Sequence, residues 1–362
     1  MAHRGMHIGL DDDRRALRDS ARTVLAAECP PALTRQAYDD PTVWQPLWKT
    51  LVELGWAGAG ADIGDPDAGV IDLVVLLEQA GAATMPAPLV STTGLAAGAL
   101  RPSGGTAEPL LTELGEGAVA ALAVGDVTRA GADPLTVDGG RLCGRVAHVR
   151  DADRADVFVA ICRDSDEEEC VVAARRGLGV TVTPCESLDP AAPVGAVEFD
   201  TDVTLQAAMP RRQALAVPLV AAAAELLGVA DRALSMSVDY AKTRHQFGQP
   251  IGAFQAVKHR LADCYVGLER ARSLTYFAAA SCTREGIADP ETWRTAMLAK
   301  AAANDAATLA TRSAVAVHGA IAQTWEHDAH LLLRRAWIGA SQLGDSRSLY
   351  LAAGRDYLAA IA

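Results

Sequence analysis

From about residue 209 to its end, this chain runs in long, alanine-rich segments with the periodicity of helices. Phe254, Val257, Leu261, Tyr265, Leu268 and Leu274 recur at the spacing of one helix face, and Met297, Lys300, Ala301, Asn304, Ala307 and Leu309 mark a second long helix. Small side chains let helices approach closely, as an antiparallel bundle requires. Composition agrees: half of the 362 residues are apolar but only 5% are aromatic, so the core is built mainly from Ala, Val and Leu.

Two other textures precede this one. Up to about residue 117 the pattern is helical: Leu17, Ala21, Val24 and Leu25 repeat at three-to-four spacing, as do Trp44, Leu47, Trp48, Leu51 and Leu54 before Gly55 stops them. A third helix begins at Ile71 and ends near Gly81, and Pro86 and Pro88 mark a loop beyond it. Between about 118 and 206, seven short β-like runs are separated by Gly, Asp and Pro clusters: Val119–Val124, Leu135–Val137, Arg141–Val149, Val157–Ile161, Cys170–Ala174, Val180–Val182 and Val194–Phe199. The acidic stretch from Asp164 to Glu169 reads as the tip of a hairpin. The expected fold class is α+β, mostly α. It comprises an N-terminal helical domain over 1–117, a small middle β-barrel or sandwich domain over 118–208, and a C-terminal four-helix bundle over 209–362.

Charge narrows the function classes. With 33 basic and 45 acidic residues the net charge is −12, which repels nucleic-acid phosphates and anionic lipid. The longest apolar stretch of the C-terminal half, Ala214 to Ala224, ends at Glu225, short of the roughly 20 residues a bilayer requires. The N-terminus turns charged at Leu10-Asp11-Asp12-Asp13-Arg14-Arg15, so no secretory signal is expected. Seven cysteines without CxxC or CxxH spacing read as free thiols of a cytoplasmic protein. No phosphate loop of the GxGxxG or GxxxxGK[ST] kind and no GxSxG elbow occurs. His327 and His330 have metal-ligand spacing but read better as a polar helix start with Asp328 at the N-terminal dipole, so no metal site is expected.

The informative stretch begins at Arg244-His245-Gln246-Phe247-Gly248-Gln249-Pro250-Ile251 and continues through Phe254-Gln255 to Ala262-Asp263. On its own it describes a helix ending in a cation, a Gly-Gln-Pro turn and a new helix. It closely resembles the R-x-Q-F-G-x-P-I-x-x-F-Q signature of the acyl-CoA dehydrogenase family. Leu54-Gly55-Trp56, Ala87-Pro88-Leu89, the β segment and Val317-His318-Gly319 through Arg334-Arg335-Ala336 follow in that family's order. The resemblance implies FAD as cofactor, an acyl-CoA thioester as substrate, and α,β-desaturation. A carboxylate takes the α-proton while hydride leaves Cβ; polarisation of the thioester carbonyl is what makes that proton removable.

The chain departs from the family where the chemistry is done. The family's R-D-A-x-x-x-x-I-Y-E-G-T stretch is matched by Arg334-Arg335-Ala336-Trp337-Ile338-Gly339-Ala340-Ser341-Gln342-Leu343-Gly344-Asp345, which puts Leu343 at the glutamate position. The alternative glutamate position, ten residues before Gly228, is Pro218. No catalytic residue is therefore assigned. Two nearby carboxylates are candidates to stand in: Asp345, two residues past Leu343, and Glu225, seven past Pro218 and about 10 Å further along the same helix face. The family's T-E-P-x-x-G-S-D segment survives as loose echoes, Thr128, Gly131 and Asp133. Its K-x-W-I-T strand has become Arg145-Val146-Ala147-His148-Val149, without the tryptophan that covers the flavin. The adenosine side is better kept. Arg244, Gln246 and Phe247 stand where the family reaches across a subunit interface to the neighbour's FAD, and His318 and Gly319 remain from the weaker Q-x-x-G-G-x-G element. A guanidinium suits a diphosphate.

Taken together, these residues point to one subunit of a heteromeric, α2β2-type acyl-CoA dehydrogenase of fatty acid or steroid side-chain β-oxidation. Such a chain pairs with a related subunit and lends adenosine and diphosphate contacts rather than the base. The alternatives are a homomeric dehydrogenase with a non-standard base, or a flavin-free structural or acyl-CoA-binding protein on the same fold.

Overall fold

A computed structural model describes residues 10–60, 69–125, 127–128, 134–284 and 286–361. Gly131 and Asp133 lie outside the described residues. The N-terminal segment holds α1 (Asp12–Glu28), α2 (Pro31–Gln36), α3 (Gln45–Glu53), α4 (Val70–Ala82), α5 (Ala97–Leu100) and α6 (Glu108–Gly115). Asp11 caps α1, its side chain accepting from Arg14 N at 2.9 Å. The loop expected beyond Pro88 is instead a buried π-helical turn over Val90–Ala96 that runs directly into α5. Its Ser, Thr and Gly residues mask the helical period that would have marked it.

The β segment forms β1 (Ala120–Ala123), β2 (Leu135–Asp138), β3 (Arg141–Arg150), β4 (Val157–Asp164), β5 (Glu169–Arg175), β6 (Val180–Cys185), β7 (Val194–Asp202) and β8 (Leu205–Ala208). The last of these was not read from sequence, being four residues of low hydrophobicity on the edge beside β5. The strands make one sheet in the order β6-β7-β3-β2-β4-β5-β8, with β1 also on β4. Phe158 of β4 meets Phe199 of β7 edge-on at 5.6 Å although two strands separate them in that order, so the sheet curls over its own core. Alternation along β4 divides the labour: Phe158, Ala160 and Cys162 fill this inner core, while Val157, Val159 and Ile161 join the helical core. Asp164 organises the tip between β4 and β5, accepting from Asp166 N and Glu168 N.

The remainder is α7 (Arg211–Thr243), a two-stranded hairpin of β9 (His245–Gln246) and β10 (Gln249–Pro250), then α8 (Gln255–Arg284), α9 (Pro290–His318), α10 (Ala329–Ser341) and α11 (Ser346–Ile361). By length and composition α7 is apolar enough to span a bilayer, which the interruption at Glu225 had argued against. Nearly all of that window is buried inside the protein, so α7 is the central core helix. Two residues expected on core faces, Tyr265 and Leu309, are exposed instead.

Where α4 crosses α7 the two backbones touch. A Cβ on Gly228 would fall 1.7 Å from the Glu78 carbonyl oxygen, and one on Gly81 would fall 1.9 Å from the Glu225 carbonyl oxygen. Neither obstacle is a flexible side chain, so the helices must separate to admit a methyl group. Gly228→Ala is expected to destabilise the chain by about 2–3 kcal/mol, read as a lower denaturation midpoint at unchanged slope.

Candidate functional site

α7 ends with Arg244, whose extended backbone (ψ 121°) leads into the β9–β10 hairpin. Phe247 and Gly248 form its two-residue turn with φ of +52° and +78°, the left-handed pair that fits the twist of a hairpin. Such a φ is unusual for an aromatic residue, and it leaves the Phe247 side chain 92% exposed, with a ring contact to Phe254 at 6.1 Å. Arg244 and Gln246 are exposed as well, and neither side chain makes a hydrogen bond among the described residues. Ile251 N donates to Arg244 O at 2.8 Å, so the backbone of this arm is pinned while its side chains face outward.

His318 and Gly319 lie at the base of the arm. His318 is buried, its Nδ1 2.8 Å from Ala314 O and its ring stacked 4.4 Å from Tyr240, which is four residues before Arg244. Gly319 stops α9 with φ +70°. The structure thus brings all five of these residues to one end of α7 and α9, but the imidazole is spent internally. His327 accepts from Ala329 N at the start of α10, and His330 stacks on Trp325, consistent with a helix start.

A cleft of about 740 Å³ opens between β3 and the turn joining α10 to α11. Leu95, Leu122, Val146 and Leu343 line it together with Arg145 and His148. Leu343 is largely buried and sits at φ +57°. Thr128 reaches the same turn: a Cβ on Gly344 would lie 3.2 Å from Thr128 Cγ2. Lys300 donates to Asn304 Oδ1 and to Gly339 O, and Asn304 donates to Gly344 O, so α9 holds the backbone of this turn from behind. Burial brings the Lys300 ammonium down to about 7. Pro218 does not reach the cleft lining; it is buried in α7 against Gly98 of α5.

Neither stand-in carboxylate is free. Glu225 is fully buried and accepts from Arg150 Nη1 at 2.6 Å and Nη2 at 2.8 Å, and from Arg335 Nη1 at 3.1 Å. Burial alone would raise its pKa, but Arg150 and then Arg335 outweigh that effect and bring it down to about 2. Asp345 lines the cleft, yet it caps α11: its carboxylate accepts from Ser348 N at 3.0 Å and Ser348 Oγ at 2.9 Å, bonds that lower its pKa. A general base for an α-proton needs the opposite, a carboxylate shifted up and held beside the thioester.

The sequence reading missed the network around Glu225. Arg335 also donates to Asp189 Oδ2 at 2.5 Å and to the carbonyls of Met85 and Thr84. Arg154 pairs with Asp151 at 3.0 Å, and Ser91 donates to the same carboxylate. Helical segment, β domain and bundle are thereby locked together in a buried junction. One signal was available: Arg335 stands where the family stretch has an aspartate.

These donor sets fit FAD unequally. The outward Arg244 guanidinium, the Gln246 amide and the open Phe247 ring suit a diphosphate and adenine arriving from outside the chain. On the ring side, Ala147 replaces the covering tryptophan and Leu343 the base.

Comparison with known proteins agrees with the fold and the motifs. The acyl-CoA dehydrogenase N-terminal domain model matches residues 11–108, and the acyl-CoA dehydrogenase C-terminal domain model matches 212–349. Acyl-CoA dehydrogenase IpdE2 of Mycobacterium tuberculosis is 31% identical over 340 residues, covering 92% of this chain and 94% of that protein. Its namesake in Mycolicibacterium smegmatis is 33% identical over 342 residues, covering 93% and 96%. In fold, the chain resembles one from the ChsE4-ChsE5 complex of Mycobacterium tuberculosis with a TM-score of 0.86 at 24% identity, covering 98% and 99% of the two chains. This chain belongs to the acyl-CoA dehydrogenase family of FAD-dependent oxidoreductases.

Proposed function

We propose that this chain is one subunit of a heteromeric, α2β2-type acyl-CoA dehydrogenase. It lends Arg244, Gln246 and Phe247 to FAD held with a related second chain, and that chain supplies the carboxylate that removes the α-proton of the acyl-CoA. The carrying observation is that no described carboxylate at the cleft is available as a base: Leu343 and Pro218 occupy the usual positions, Glu225 is clamped between two arginines, and Asp345 caps a helix. The similarity of fold to a chain from a two-component complex is in keeping with this reading.

In such an assembly Arg244 binds and orients the diphosphate through charge-assisted hydrogen bonds, Gln246 adds an amide, and Phe247 covers apolar surface that its own chain leaves bare. FAD, when bound, accepts the hydride leaving Cβ. Leu343 keeps water from one wall of the cleft and moves no proton. A homomeric enzyme using Glu225 would have to break two buried ion pairs to free its base, and nothing in the geometry favours that.

Arg244→Ala is expected to cost about 1.5–3 kcal/mol of FAD affinity in the assembled enzyme. The fold should be unaffected, because the side chain has no described partner within its own chain. Flavin retention on dilution and the far-UV spectrum check both halves. Unchanged retention would remove the arm from the cofactor site.

A further inference from the structure

The cleft beneath Leu343 has lost its flavin-covering tryptophan and its base, yet it remains a cleft of about 740 Å³, within the roughly 300–1,000 Å³ of sites that enclose small molecules. Its walls divide by chemistry. Leu95, Leu122, Val146 and Leu343 give an apolar body, and the donors Arg145, His148 and Arg150 all come from β3. A register shift between Val146 and Val149 interrupts the alternation of that strand. Arg150 is 5% exposed, and its Nη atoms are taken by Glu225. Its buried Nε has no hydrogen-bond acceptor, the Asp151 carboxylate oxygen lying 3.7 Å away. A buried guanidinium N–H without a partner is costly and calls for an acceptor. The one carboxylate in the lining, Asp345, is turned to Ser348.

We propose that this cleft binds an amphipathic organic acid, an apolar body carrying one carboxylate, with the carboxylate on Arg145, His148 and the Arg150 Nε and the body against Leu122, Val146 and Leu343. This goes beyond the subunit assignment and does not depend on it, since the residues all belong to this chain.

Calorimetric titration of the full chain with dodecanoate, dodecanol, acetate and riboflavin tests the assignment. Dodecanoate is expected to bind saturably at one site per chain. Dodecanol and acetate should each bind at least tenfold more weakly, because each lacks one half of the recognised chemistry. The double variant Arg145→Gln/His148→Gln alters two exposed side chains and should weaken dodecanoate at least tenfold with an unchanged far-UV spectrum. An absence of saturable binding, equal affinity for dodecanol, or undiminished binding in a folded double variant would each overturn the proposal. Tighter binding of riboflavin that displaces dodecanoate would overturn it as well, by making the cleft a flavin-ring site.

Discussion

Glu225→Ala is expected to lower the stability of the folded chain by about 3–5 kcal/mol, the usual consequence of removing one member of a buried charge network. Its carboxylate neutralises Arg150 and Arg335, both essentially inaccessible to water. Without it, two guanidinium groups remain at a junction that also fixes Asp189 and the carbonyls of Thr84 and Met85. The same interaction predicts an acid limb. Glu225 has a folded pKa near 2 against an ordinary value of 4.5, so its contribution is complete above the unfolded value and is lost as pH falls from about 4.5 towards 2. By linkage the loss is about 3 kcal/mol. Denaturant midpoints of wild type and Glu225→Gln across that range check it: the wild-type midpoint should fall with acid, whereas the variant should start low and vary less. A variant as stable as wild type would mean that Glu225 is not a structural counter-ion.

The second large effect concerns catalysis. In the assembled enzyme, changing the partner subunit's own active-site carboxylate to its amide is expected to cost 10²-fold or more in turnover, the scale of a positioned general base. Asp345→Asn in this chain should leave turnover within a few-fold, because the carboxylate works as a helix cap. Leu343→Glu in this chain alone should create no dehydrogenase, since Ala147 leaves the ring side uncovered and a carboxylate by itself accepts no hydride. Steady-state rates on an acyl-CoA, normalised to folded protein, separate these cases. A 10²-fold loss in Asp345→Asn would make that residue the base.

Much of this was legible before any coordinates. The three textures mark the helical, β and helical segments because period-3.6 and period-2 hydrophobic patterns report directly which faces are buried. Seven of the eight strands could be read, while β8 was invisible because it sits on an edge and buries little. The arm was legible through its motif, and its conformation through Gly248 and Pro250, although the left-handed turn at Phe247 could not be read from an aromatic residue. The ion network was hidden for a different reason. Arg150, Asp189, Glu225 and Arg335 are scattered over 186 positions, and a lone charge in sequence looks solvated until folding brings its partner to it. Glu225 shows the consequence: at the level of spacing it was a candidate base, and in space it is a counter-ion.

The central claim is that this chain is half of an enzyme, and flavin content with acyl-CoA dehydrogenation tests it most directly. Both are measured on this chain purified alone and again after co-expression with a related acyl-CoA dehydrogenase chain that retains its carboxylate. The account predicts a colourless, inactive protein alone and a yellow, active complex containing both chains. A yellow protein that dehydrogenates acyl-CoA with no second chain present would contradict it.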